Sequence, residues 1–399
     1  FRYKFFADKP VEKFESLILR NSGNDNMGLQ FHDCFMTGLT RDMDIDRQAY
    51  QPAAVYINGE YWGLLNLREK VSTEYISDNH YVNSDSVNLL EGNGSIVDGT
   101  NERYNALKGY LNTKSSLQND ADYQGVRNQI DLNNYIQYQL TQIYLNNRDW
   151  PGNNTKFWNS TSPESKWRWI LYDTDFGFGI WNVEDYQMNT LAFALEPYGP
   201  DWPNPPWATL LFRRLSSNLS FRNNFINQFC DRLNLDFHPA RINADLDSIT
   251  DLYDNEMAYH FNRWWGNYDE WYWRLNNRRT FGQNRPYYCR RYLREEFLLG
   301  PNLNVNLNVS GPGEGKIKLN TITPTKYPFT GVYFNNVPVT LTAIPEPGYK
   351  FVAWEGSVVS TEPTISFGMK VSGNFTAVFT EAEEEDFSVV INEINYKSH

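Results

Sequence analysis

Hydrophobic and polar positions change period twice along this chain. Over the first 70 residues they fall in short alternating or apolar runs. Phe1-Arg2-Tyr3-Lys4-Phe5 alternates, Ser16-Leu17-Ile18-Leu19-Arg20 reads as a buried strand, and Ala53-Ala54-Val55-Tyr56-Ile57 leads into Asn58-Gly59. Asn-Gly between two apolar runs is a strong hairpin signal because both residues tolerate positive φ, so Tyr61–Leu67 is expected to return as the partner strand. From about residue 101 the spacing becomes helical. The stretches 101–111 and 124–146 read as helices, the second with Tyr135, Ile136, Leu140, Ile143 and Tyr144 on its apolar face and Asp131 as N-cap.

Strands are expected at Lys156–Trp158 and Trp167–Tyr172, and helical spacing resumes over 207–300. At Gly300-Pro301 the helical pattern disappears. Val305, Leu307 and Val309, then Val337, Val339 and Leu341, then Phe375, Ala377 and Phe379 alternate between turn residues, as in a small all-β module. The organisation predicted is an α+β domain over 1–300, β-rich over 1–100 and mainly helical over 101–300, followed by a β module over 301–380. The acidic Glu381–Asp386 run reads as a linker, and Val389–Ile394 as the first strand of a further domain.

Composition narrows the class. With 41% apolar residues the chain can bury a core, and no run reaches the roughly 18 to 20 apolar residues of a spanning helix. It opens on Phe1 with no signal-peptide pattern before it, and is expected to be a fragment or processed form whose cellular address must be read from elsewhere. Lysine and arginine total 36 against 48 acidic residues, a net charge of −12. An acidic surface repels phosphate backbones, so nucleic acid is not an expected partner; it would attract a basic protein segment, while solubility is the simpler reading of the charge. Cys34, Cys230 and Cys289 and the five histidines match no zinc spacing and are expected to be free thiols and non-metal histidines. The 13 tryptophans include Arg263-Trp264-Trp265 and Trp271-Tyr272-Trp273, readable as stacking platforms or, more simply, as packing.

Chemistry concentrates between residues 145 and 180. Arg148-Asp149, with Asn154 five positions after the Asp, repeats the spacing of a protein-kinase catalytic loop, in which the Asp faces a hydroxyl and the Asn turns toward a metal. Trp169-Ile170-Leu171-Tyr172 then runs into Asp173-Thr174-Asp175-Phe176-Gly177. If the strand continues, Asp173 and Asp175 share a face and reach the same hard cation. Upstream, Leu67-Arg68-Glu69-Lys70 closes the hairpin with a carboxylate and cations.

Those blocks, with Tyr56-Ile57-Asn58-Gly59-Glu60-Tyr61-Trp62-Gly63 and Leu67-Arg68-Glu69, resemble the spore-coat protein H (CotH) kinase family over roughly residues 1–300. The resemblance implies a divergent two-lobe protein-kinase-like fold, ATP and Mg²⁺ as cofactors, and Ser/Thr phosphorylation of a protein substrate, basic and Ser-rich in character. It implies Asp149 as the catalytic-loop residue, Asp173, Asp175 and Asn154 on the metal, and Glu69 at the phosphates or bridging the lobes. Lys4 is the candidate N-lobe cation, with Arg2 and Arg20 as alternatives. Residues 301–380 resemble an internalin-type B-repeat through Pro347-Gly348-Tyr349, Trp354-Glu355-Gly356 and Asn374–Phe379, and 387–396 resemble the start of a lamin-tail-like domain. Both imply an extracellular or cell-surface bacterial protein. Two other readings compete: a kinase-like scaffold or adhesin without activity, and a carbohydrate-active enzyme with paired carboxylates beside a tryptophan groove.

Overall fold

The computed structural model describes residues 2–383. Part of the expected linker, the strand at Val389–Ile394 and the lamin-tail-like start lie outside the described residues. The chain divides into two compact units at Leu298/Leu299, an α+β domain and an all-β module.

The first unit opens with strand β1 (Leu17–Arg20), helix α1 (His32–Gly38), the short β2 (Asp46–Arg47), and the hairpin β3 (Tyr50–Ile57) and β4 (Glu60–Glu69). Asn58 and Gly59 turn the hairpin at φ 52° and 87°, the double positive φ that the dipeptide predicts. β1, β4 and β3 form an antiparallel sheet in that order. The run at Leu17–Arg20 is a strand as expected but not a buried one. It is paired along one edge only, and Ile18 and Leu19 remain 37% and 52% exposed. The expected strand at Phe1–Phe5 reduces, among the described residues, to one bridge between Arg2 and Lys13.

Next come α2 (Thr73–His80), β5 (Val87–Glu91), β6 (Ser95–Asp98), α3 (Glu102–Asn112), α4 (Asp120–Arg127), α5 (Leu132–Leu145), β7 (Lys156–Ser160) and β8 (Arg168–Leu171). A five-stranded sheet in the order β2-β8-β7-β5-β6 joins these strands, so it draws on segments from both sides of residue 100. The helical stretch expected over 124–146 is two helices. Between them Gln129 and Asp131 bond the backbone of Trp167 at 2.9 Å each, which pulls Ile130 into a strand-like bridge. Asp131 then caps α5 through the amide of Asn134, as its position predicts. α5 is buried almost throughout, and several of its polar side chains bond within the fold, although the Thr141 and Tyr144 hydroxyls have no hydrogen-bond partner among the described residues. The Asn134 side chain, for instance, exchanges bonds with the Trp169 amide (2.7 Å) and carbonyl (3.1 Å), fixing α5 on β8.

The rest of this unit is α6 (Thr190–Leu195), α7 (Pro206–Ser216), α8 (Leu219–Asn234), α9 (Pro239–Trp264) and α10 (Tyr268–Glu296). Ile242, Leu246, Ile249, Tyr253 and Met257 form the buried stripe of α9. A Cβ at Gly282 of α10 would run into Ile242, so glycine there permits the close approach of the two helices. Trp271 packs inside against Phe31, and Trp264 donates to the Trp62 carbonyl at 2.8 Å, whereas Trp265 and Trp273 stay exposed. The tryptophan-rich motifs thus divide between packing and surface. Cys34, Cys230 and Cys289 are buried free thiols; burial pushes Cys34 up to about 11 and Cys230 up to about 12, which keeps both protonated and unreactive.

Two buried arginines lock this unit. Arg68 of β4 pairs with Asp33 of α1 at 2.5 Å. Burial pushes the Asp33 carboxyl up, but the Arg68 and Arg20 guanidiniums outweigh it and hold the group well below the usual carboxylate range. Arg285 of α10 is fully buried and donates to the carbonyls of Ile143 (2.7 Å), Tyr144 (2.9 Å), Tyr186 (2.8 Å) and Met188 (2.7 Å), and to the Thr190 hydroxyl (3.0 Å).

The second unit carries β9 (Asn302–Ser310), β10 (Gly315–Leu319), β11 (Phe329–Phe334), β12 (Pro338–Pro345), β13 (Tyr349–Gly356), β14 (Thr364–Gly368) and β15 (Gly373–Glu381). They form a four-stranded sheet, β11-β9-β15-β13, with β15 parallel to β9, and a three-stranded sheet, β10-β12-β14. Alternate residues are buried, among them Val305, Leu307, Leu341, Ala377 and Phe379. Trp354 is fully buried and donates to the Glu362 carbonyl at 3.1 Å.

Replacing Asp33 with Asn strands the Arg68 cation, and urea denaturation at neutral pH is expected to show a loss of about 3 to 5 kcal/mol. The native carboxyl is depressed, so its contribution is complete above its unfolded pKa and fades as pH falls. The gap between wild type and Asp33→Asn should therefore narrow below roughly pH 4. Arg285→Lys keeps a charge but loses the planar fork, and is expected to lower the urea midpoint by a similar margin; an unchanged midpoint would show that the carbonyls find other donors.

Candidate active site

The site forms where three loops meet: the one after α5, the one after β8 and the one after β1. α5 ends at Asn146, which is left-handed at φ 51° and lets the chain reverse into Asn147-Arg148-Asp149. Asp149 is buried, and its Oδ2 accepts from the side-chain amides of Asn153 (2.7 Å) and Asn154 (2.6 Å). The same Asn154 amide lies 3.4 Å from the Asp173 carbonyl. The Asp-to-Asn spacing in the sequence thus becomes a direct bond, and Asn154 ties the two loops together. With Nδ2 so engaged, Oδ1 of Asn154 accepts no hydrogen bond among the described residues and is the end available to a cation.

Asp173 and Asp175 converge, but not by strand continuation. β8 stops at Leu171 and Asp173 is left-handed at φ 51°, so the shared-face expectation is corrected: residues 173–175 form a turn. Its two carboxylates meet instead on Arg20, whose guanidinium bonds Asp173 and lies 3.4 Å from Asp175 Oδ2. Thr174, between them, points the other way and gives both its amide and its hydroxyl to Asp33 Oδ1 at 2.7 Å. Asp33 therefore serves Arg68 and the turn together.

Asp175 is buried and also accepts from the Asn24 amide at 2.9 Å. Gly23 is left-handed at φ 57°, and a Cβ there would collide with the Asp175 carboxylate. Burial, followed by the Asp173 and Asp33 charges, pushes Asp175 above its ordinary range despite the Asn24 bond and Arg20.

Behind the turn, Gly177 and Phe178 are clamped. Phe178, at φ 51°, donates its amide to the Leu145 carbonyl at 2.6 Å and packs its ring on Phe35 and Phe281. Phe178 is the fully buried ring; Phe176 is only half-buried, beside Trp181. His32 lies within 2.9 Å of the Gly177 carbonyl through Nε2, and Arg278 donates to its Nδ1 at 3.1 Å. Arginine only donates, so His32 is the Nε2–H tautomer, and its pKa is well below the ordinary range through burial first and Arg278 second. Asn146, Asn154, Asp173 and Phe178 are all left-handed without being glycine, a concentration of backbone strain of the kind that tertiary packing must hold in place.

The remaining residues singled out from sequence lie elsewhere. Lys4 is exposed near the chain start. Glu69 is buried, with its carboxylate bonded to the Ala49 amide (2.8 Å), Asn79 (3.1 Å) and Lys9 (2.8 Å). Lys9 is thus the cation that Glu69 meets, and Arg20 the cation at the Asp173/Asp175 pair. Sequence reasoning missed Lys9, Gly23, Asn24, Asp33 and His32. The run Arg20-Asn21-Ser22-Gly23-Asn24 after a strand was a readable turn signal; nothing local marked Lys9, Asp33 or His32.

The donors fit a magnesium-type cation in kind. Asp173, Asp175 and Asn154 Oδ1 offer only oxygen, and the upward push on Asp175 is what a neighbouring cation would relieve. Among the described residues no three His, Cys, Asp or Glu side chains form a metal cluster. Mg²⁺ asks for less, since one or two carboxylates with substrate phosphates are its usual protein complement.

Known families align with this division of the chain. No curated protein matches it. The divergent InlB B-repeat domain matches residues 308–383, within the all-β unit. CotH kinase protein matches residues 2–289, a span that contains the hairpin, the loop after α5 and the Asp173–Gly177 turn. Nearly the whole α+β unit is covered, and the chain accordingly belongs to the CotH kinase family.

Proposed function

We propose that the chain is an ATP- and Mg²⁺-dependent phosphotransferase acting on serine or threonine hydroxyls of a protein, and that it works outside the cell or at its surface. The observation that carries this is the Asn154 side chain, which bonds Asp149 Oδ2 at 2.6 Å and approaches the Asp173 carbonyl at 3.4 Å. One amide thereby couples a candidate proton acceptor to a candidate metal-binding turn.

Bound Mg²⁺–ATP would supply the phosphoryl group and neutralise its charge. Asp173, Asp175 and Asn154 Oδ1 are the residues that would hold the metal. Asp149 orients the acceptor hydroxyl and takes its proton, while Asn153 and Asn154 keep its carboxylate aimed. Arg20, already between the two carboxylates, is the cation nearest to where phosphates would lie. His32 and Arg278 hold the Gly177 carbonyl, and so the turn, in position. The B-repeat match supports an exported setting, and among the described residues no helix is long and apolar enough to cross a membrane.

Calorimetric titration of ATP is expected to show binding with Mg²⁺, none after chelation by EDTA, and none with Mg²⁺ in Asp173→Asn. Absence of Mg²⁺-dependent binding in the wild type would favour the scaffold or adhesin reading. Asp149→Asn is expected to retain ATP binding while lowering phosphoryl transfer about 10²- to 10⁴-fold; transfer at the wild-type rate would remove Asp149 from its role. Gly23→Ala forces a Cβ against Asp175 at a left-handed position, and is expected to weaken ATP–Mg²⁺ binding and also to lower stability in urea by about 1 kcal/mol; unchanged ATP–Mg²⁺ binding would remove this turn from the site.

A further inference from the structure

A cavity of about 650 Å³ opens beside the candidate site. Asn147 and Arg148, the two residues before Asp149, form part of its wall, and Phe176, the residue after Asp175, forms another. Trp181, Phe193 and Trp202 contribute further aromatic surface. Trp181 and Trp202 are 58% and 59% exposed, unusual for rings of that size in a folded domain.

The chemistry of the lining selects its occupant. All of it comes from residues 146–203, so Arg20, Gly23 and Asn24 on the carboxylate side take no part. The charged side chains are Arg148 and Glu196, opposite in sign, and Arg148 lies 3.6 Å from Asp185. Such walls offer phosphates little and a large apolar side chain a good deal. Asn146 also lines the cavity but is buried, its Oδ1 accepting from the Thr190 hydroxyl at 2.6 Å, so it shapes the wall without adding charge to it.

We infer that this cavity seats a bulky aromatic or aliphatic side chain of the protein substrate, a few residues in sequence from the hydroxyl presented to Asp149. The inference rests on the phosphotransfer reading, and adds that the acceptor is chosen by an apolar anchor beside the hydroxyl as well as by basic character. The span is short: an extended peptide advances about 3.3 Å per residue, and the wall begins one residue from Asp149.

The test uses the full chain and fluorescently labelled short peptides with one serine in an alanine background, a phenylalanine being moved through the positions on either side. Binding is read by anisotropy, and phosphoryl transfer from ATP is read separately. One or two phenylalanine positions should tighten binding about ten- to a hundredfold over the all-alanine peptide, the range expected for burying that ring. Trp181→Ala and Met188→Ala, both at half-exposed cavity positions, should each reduce the preference. Saturating ATP–Mg²⁺ should leave it intact. Equal binding at every position, or a preference that survives both variants, overturns the inference. Competition by ATP–Mg²⁺ also overturns it, because the cavity would then hold the nucleotide base. A flanking preference without transfer would refute the catalytic reading and keep a peptide site; transfer without a preference would refute the anchor alone.

Discussion

Arg285 sits where the end of α5, the segment after the Asp173–Gly177 turn and α10 converge, and its guanidinium is fully buried there. Two of its acceptors, the Ile143 and Tyr144 carbonyls, belong to the last turn of α5, where helical donors run out, although Ile143 also accepts from the Asn146 amide at 3.2 Å. A planar cation suits that location twice, by bringing donors to the last turn and by facing the negative end of the helix. The remaining bonds, to Tyr186, Met188 and Thr190, stitch the same helix end to a stretch over 90 residues from Arg285 in sequence. Thr190 in turn bonds Asn146, so the exit from α5 is fixed on both sides before the chain reaches Asp149. The loop geometry of the site depends on this clamp.

A second layer of buried charge sets the electrostatics. Asp33 joins Arg68 on the hairpin to Thr174 in the turn, so hairpin, α1 and the paired carboxylates are one network. Alternation along β4 separates two roles: Arg68 serves that network, while Glu69, one residue on, serves Lys9, Ala49 and Asn79. Arg20 then brings a cation to the exposed side of Asp173 and Asp175. Carboxylates held close together, one pushed up by burial and by its neighbour, form a site whose charge is only partly balanced by the protein. A divalent cation bound there would relieve that imbalance.

Much of this was legible in the sequence where the deciding forces are local. Asn58-Gly59 specified a hairpin because its two residues accept the left-handed turn. Asp131 announced the start of α5 because an N-cap is a short-range bond. The Asp149 and Asn154 spacing was legible for the same reason, since five residues of loop bring the two side chains into contact. Strand periodicity likewise gave the β module, where alternate side chains are buried.

Other features were settled by contacts distant in sequence. The strand-like bridge of Ile130 with Trp167 broke a helix that periodicity ran together, and edge pairing left Leu17–Arg20 exposed although its composition reads as buried. Asp173 and Asp175 converge through a left-handed turn and an arginine some 150 residues upstream, and no spacing rule contains that geometry. The choice of Lys9 over Lys4 beside Glu69, and of His32 behind Gly177, is of the same kind. By itself the sequence determined most element types, the capped start of α5 and the chemical content of three motifs, because propensity, capping and turn bonds act within a few residues. Only the tertiary structure decided which cation meets which carboxylate, because burial and charge pairing depend on which surfaces the fold brings together.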